Sequence, residues 1–227
     1  MYFIIDRTNK VIVGWSAKCG CTHVKRLFNY IINHNNEKHI DLNIRDVLPK
    51  NIGCFTTIIV SRNPYKRVVS GFLEKYKGGG NYRKNWKYNK ITFTMFINEV
   101  LKNNWKMINY HHFTPQTTEN FNMNILKSKQ LKIFDIENID YNYIETLYNI
   151  KIPEEILLSG RGHKRKEYPN TINRCVSDLT MKTYIHSNVN YKYFYNKELN
   201  IKVLRFYKND FIFFNKYGNM KYKSLSN

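Results

Sequence analysis

Two segments of the chain hold the residue types that bind phosphate, each set between an apolar run and an amphipathic one. The first is Gly14-Trp15-Ser16-Ala17-Lys18-Cys19-Gly20-Cys21-Thr22-His23, which follows the apolar Val11-Ile12-Val13. Val24, Leu27, Phe28, Ile31 and Ile32 then recur at helical spacing. A helix start exposes N–H groups without intrahelical acceptors and a partial positive charge, so it attracts an anion. Gly20 lets the backbone approach that anion closely. Lys18 adds a mobile point charge and Thr22 a hydroxyl donor. The plain alternative is an ordinary helix cap beside a surface lysine. The loop is not a Walker A sequence, because the G-x-x-x-x-G-K-[ST] spacing is absent.

The second segment is Ile58-Ile59-Val60-Ser61-Arg62-Asn63-Pro64-Tyr65-Lys66-Arg67-Val68-Val69-Ser70-Gly71. Thr56 to Val60 reads as a buried strand. Asn63 suits an N-cap and Pro64 the first helical position. Arg62 offers a rigid fork for bidentate phosphate binding. Ser70 lies about 9 Å further along the helix, within reach of the same anion. Arg67 is either a helper at this site or a solvated helix charge.

The elements that must carry these loops alternate. Strands are expected over 2–5, 11–14, 56–60 and 131–134. Helices are expected over 22–34, 64–76, 92–103 and 140–149, from Pro153, and over about 177–195 and 208–216. Residues 77–90 form a Gly-rich basic loop. This order predicts a single α/β domain over 1–227, a central mainly parallel sheet flanked by helices, with ligands at the carboxyl ends of the strands.

The paired loops resemble those of the sulfotransferases. Ala17-Lys18-Cys19-Gly20-Cys21-Thr22 is similar to the family's 5′-phosphosulfate loop, P-K-C-G-C-T-S, and Arg62 to Ser70 to its 3′-phosphate motif, R-N-P-x-x-R-x-x-S. Tyr207-Lys208-Asn209-Asp210-Phe211-Ile212-Phe213-Phe214 resembles its closing Y-x-x-D-F-x-x-F helix. The nearest branch is the carbohydrate (Golgi-type) sulfotransferases. The resemblance implies a P-loop-like sulfotransferase fold. It also implies 3′-phosphoadenosine-5′-phosphosulfate (PAPS) as donor, 3′-phosphoadenosine-5′-phosphate (PAP) as product, and a hydroxyl acceptor such as a glycan, with no metal required. Lys18, Cys19, Gly20, Cys21, Thr22 and His23 would then hold the 5′ end, with Lys18 stabilising the leaving phosphate. Arg62 and Ser70 would hold the 3′-phosphate. Ala17 departs from the usual proline and His23 from a common serine.

The same resemblance points to a base shortly after the first helix. His39 is the first choice, because its titration range suits work near neutrality, and Glu37 is a fallback. His111-His112-Phe113-Thr114-Pro115-Gln116 is similar to an H-x-x-P-Q element of the carbohydrate enzymes, which makes His112 a second candidate for base or substrate contacts. Lys164, Arg165 and Lys166 fall where relatives carry a basic loop near the 3′ side, and equally read as a solvated charge run.

Thirty-seven basic against 17 acidic side chains give a net charge of +20, a field that attracts polyanions. The basic, tyrosine-rich stretch 76–88 keeps a non-catalytic nucleotide or nucleic-acid binding protein open as an alternative. The dispersion of the charge favours a coding bias toward Lys, Asn, Ile and Tyr first, an acidic substrate second and nucleic acid last. A P-loop kinase is disfavoured by the missing Walker A and the lack of an evident magnesium carboxylate. Met1 to Ile5 is too short for a signal peptide and reads as a hairpin strand. No run approaches the ~20 apolar residues of a membrane span. The expectation is a soluble, cytoplasmic protein with reduced cysteines and no membrane anchor.

Overall fold

The computed structural model describes residues 1–33, 44–45, 47–77, 90–102, 110–159 and 168–225. In chain order the elements are β1 (Tyr2–Asp6), β2 (Val11–Trp15), α1 (Cys21–Asn33), β3 (Ile44–Arg45), β4 (Thr56–Ser61), α2 (Pro64–Lys77), α3 (Phe93–Leu101), α4 (Tyr110–Phe113) and α5 (Glu119–Ile125). They continue with β5 (Gln130–Asp135), α6 (Tyr141–Tyr148), α7 (Glu154–Ser159), β6 (Thr171–Ile172), α8 (Met181–Tyr184), β7 (Asn188–Val189), α9 (Lys197–Phe206) and α10 (Lys208–Tyr217). Contacts group the chain into two compact units. The first comprises Met1–Arg62, Gln116–Lys164 and Ile212–Lys221; the second comprises Asn63–Pro115, Arg165–Phe211 and Tyr222–Asn227.

The first unit is built on a five-stranded sheet of order β3-β1-β2-β4-β5. β1 and β2 form the expected antiparallel hairpin, with Ile4 opposite Val13. β2, β4 and β5 run parallel, with Trp15 beside Val60 and Ser61 beside Asp135. Their carboxyl ends therefore lie side by side, and the loops after them open on one edge. The Val/Ile-rich composition of β2 and β4 follows from burial on both faces. On one face Val13, Trp15, Ile58 and Val60 pack against Val24, Leu27 and Phe28 of α1 and against Ile144 and Ile156. On the other, Phe3 stacks on Phe121 of α5, and Phe121 meets Phe213 edge-on. The expected α/β architecture, a mostly parallel sheet flanked by helices, is the one observed.

The second unit is helical around an aromatic core. Phe72 of α2 lies 5.2 Å from Phe93 and 4.9 Å from Phe96 of α3, and Phe93 lies 5.1 Å from Tyr195. α2 starts as its sequence predicts: the Asn63 side chain accepts from Tyr65 N at 2.9 Å, and Pro64 is the first helical residue. A Cβ on Gly71 would come within 2.5 Å of Phe113, so this glycine lets α4 sit against α2.

The helix expected over 177–195 is not formed. Only α8 is α-helical there, followed by β7 and a 3-10 turn, Tyr191–Phe194. Ser187, Asn188 and Asn190 interrupt the run, and the Asn190 side chain accepts from Lys192 N at 3.1 Å in place of a helical bond. The helix lies further on, in α9. Asn196 caps it by accepting from Leu199 N at 2.9 Å, and Leu199 and Val203 form its buried stripe. Among the described residues no helix is long and apolar enough to cross a membrane.

Candidate functional site

The loop between β2 and α1 is shaped by two residues with positive φ, Lys18 at 70° and Gly20 at 70°, flanking Cys19, which has none. Alternation of this kind turns neighbouring N–H groups toward one concavity, a form of anion nest. Cys19 N donates to Ser16 O at 3.1 Å and closes the turn, and the α1 ladder begins with Val24 N to Gly20 O at 2.9 Å. The N–H groups of Cys21, Thr22 and His23 precede that ladder, at the positive end of a 13-residue helix with no acidic side chain in its first turn. A Cβ on Gly20 would sit 2.2 Å from Ile136, which follows β5 and covers the loop. Lys18, lacking the freedom of glycine, holds a left-handed backbone at a cost of about 1–2 kcal/mol.

Arg62 leaves the end of β4 and reaches this loop: its Nη1 donates to Lys18 O at 3.2 Å. Its Nε is buried and has no acceptor among the described residues, so the fork has unused donor capacity beside the loop. Gln116 binds both sides. Its Oε1 accepts from Arg62 N at 3.1 Å and from Cys19 Sγ at 2.9 Å, and its Nε2 donates to Arg62 O at 2.8 Å. The Cys19 and Gln116 side chains are both buried. The sequence singles out His112 of the H-x-x-P-Q element for base or substrate contacts; Gln116, which closes that element, joins the two phosphate-type loops across the strand ends.

Of the residues expected at the 5′ end, the structure gathers Lys18, Cys19, Gly20, Cys21 and Thr22 at the start of α1, with Arg62 alongside. Thr22 is exposed, and Lys18 and Cys21 are half-buried. His23 is turned inward. It is buried, and its Nε2 lies 2.8 Å from Tyr141 Oη. Burial, and then the charge of Arg26, hold its pKa below the ordinary 6.5. The unfolded chain therefore binds a proton more readily than the fold does, and stability falls as pH drops through about 6.5. We expect the melting temperature to decline between pH 7.5 and pH 5 more steeply for the wild type than for His23→Gln, followed by circular dichroism; parallel slopes refute the assignment.

Ser70 and His112 belong to the second unit. Ser70 is half-buried on α2. His112 is half-buried on α4, with its ring centroid 4.5 Å from that of His111. Burial and the charge of Lys75 lower the pKa of His111. Arg67 is not a solvated charge. It is fully buried, and its Nη1 donates to Thr114 O at 2.7 Å. Tyr207 Oη donates to Phe113 O. These bonds fix the backbone of the strap that carries His112. His39, Glu37 and Lys164 to Lys166 lie outside the described residues, as does most of the 77–90 loop.

The profile of the sulfotransferase family matches residues 1–218. No curated protein and no solved structure matches the chain.

Proposed function

Since the chain belongs to the sulfotransferase family, we propose that it moves a sulfuryl group from PAPS to a hydroxyl of a carbohydrate acceptor, with Lys18 stabilising the leaving phosphate. The observation that carries this reading is the nest at Lys18 and Gly20, at the start of α1, with the Arg62 fork bonded to its backbone. The donor set suits a ligand with anions at both ends: main-chain N–H groups and an ammonium at one, a guanidinium with a spare Nε–H at the other. The family match runs through both compact units, which supports reading residues 1–227 as one sulfotransferase domain.

PAPS supplies the sulfuryl group: a bond forms from the acceptor oxygen to sulfur, the bond from sulfur to the 5′-phosphate oxygen breaks, and PAP departs. The work of the chain is positioning and charge stabilisation, as in phosphoryl transfer. The N–H groups of Gly20, Cys21 and Thr22 hold the 5′-phosphate. The Lys18 ammonium neutralises charge developing on the bridging oxygen, where a preorganised donor has its largest effect. Arg62 and, by its motif, Ser70 hold the 3′-phosphate. The hydroxyl proton passes to a histidine, His39 or His112. Glycan acceptors are favoured by the resemblance to the carbohydrate branch.

Incubation with radiolabelled PAPS and a panel of glycans tests the reading. Label should transfer to at least one glycan and PAP should accumulate in equal amount. Tight PAP binding without transfer to any hydroxyl acceptor would instead favour a nucleotide-binding protein on this fold.

A further inference from the structure

We propose that Gln116 is a positioning residue that registers the 5′ loop against the 3′-phosphate arginine, so that both ends of the donor are gripped at one fixed separation; this rests on the PAPS reading above. The carboxamide makes three bonds to two segments distant in sequence. Its orientation is dictated by the main chain, because Arg62 N–H only donates and Arg62 C=O only accepts. Oxygen therefore faces the former at 3.1 Å and the amide nitrogen the latter at 2.8 Å. With the oxygen so placed, the Cys19 thiol is the donor in the 2.9 Å contact. The side chain thus copies a strand's two-point pairing with Arg62 while holding the residue next to Lys18.

Its location in the chain adds to the case. Within the first unit, Arg62 ends one segment and Gln116 begins the next. Their paired bonds therefore join two segments of that unit whose bonded residues lie 54 apart in sequence. Arg62 is also bonded to Lys18 O, so a shift of Arg62 acts directly on the strained peptide at Lys18. Cys19 and Gln116 are both buried, which excludes solvent as a ready replacement for the bonds.

The test compares wild type with Gln116→Met, which keeps the volume without the bonds, and Gln116→Glu, which keeps the acceptor oxygen and loses the donor to Arg62 O. Dissociation constants are measured for PAP, 5′-AMP, 3′-AMP and adenosine by titration calorimetry. The quantity read is the product of the two single-phosphate constants divided by the product of the PAP and adenosine constants, in which a uniform effect of charge or stability cancels. It should fall about tenfold in both variants, within the range for coupled neighbours. Alkylation of Cys19, followed by peptide mass spectrometry, should accelerate in parallel. Should the Met variant fail to fold, the isosteric Glu variant carries the comparison. A ratio equal to that of wild type, with Cys19 exposed faster, makes Gln116 merely structural and overturns the inference. Wild type that fails to bind PAP removes the donor reading itself, a failure visible before any variant is compared.

Discussion

Lys18→Ala should lower turnover about a hundredfold or more, the loss found when a preorganised donor to a developing oxyanion is removed. The Michaelis constant for PAPS should change far less, because the first-turn N–H groups of α1 and the Arg62 fork remain. An interaction made mainly in the transition state lowers kcat and kcat/KM together. Backbone strain complicates any substitution here, since Lys18 has φ 70°. Lys18→Gly separates the two effects. Glycine accepts that conformation without penalty, so its melting temperature should exceed that of the Ala variant, by a difference worth about 1 kcal/mol. Turnover should nevertheless be equally low in both, since neither carries an ammonium. Sulfate transfer to the best glycan of the panel, measured at saturating PAPS, supplies the comparison. Lys18→Ala turnover within threefold of wild type would sink the leaving-group role.

What was legible in the sequence is local chemistry. The Lys18 loop, the Asn63 cap and Pro64 depend on bonds a few residues long, so spacing and residue type carry them. β2 and β4 announce themselves as short apolar runs because both faces of the sheet are covered. The Gln116 bonds span 97 and 54 residues, and no periodicity marks them. Arg67 reads as either a helper at the phosphate site or a solvated helix charge. Its burial depends on carbonyls of the 111–114 strap, which sequence proximity does not reveal. His23 reads as facing the phosphates because it sits one residue after Thr22. The direction of its ring depends on Tyr141, which α6 supplies from far along the chain. The overextended helix at 177–195 has a local cause. The helix begins only after Asn196, and the apolar residues before it match a helical period while serving a 3-10 turn and the aromatic core.

Arg62→Ala should act on binding first. Hydrogen bonds to a charged group contribute about 1.5–3 kcal/mol each, and a fork makes two. The Michaelis constant for PAPS and the dissociation constant of PAP should therefore rise about a hundredfold or more, since about 1.4 kcal/mol is tenfold. Binding of 5′-AMP, which lacks the 3′-phosphate, should change much less, and this contrast assigns Arg62 to one end of the donor. Turnover should fall by a smaller factor than the Michaelis constant rises. That remaining loss comes from the Lys18 carbonyl, which gives up its 3.2 Å bond to Nη1 and with it part of the restraint on the left-handed peptide. Arg62→Lys tests the fork itself: it keeps the charge but not the planar pair of donors, so it should recover only a small part of the affinity. Full recovery by lysine would reduce Arg62 to a point charge. Equal losses for PAP and 5′-AMP would move it from the 3′-phosphate to the 5′ loop, where its bond to Lys18 already lies.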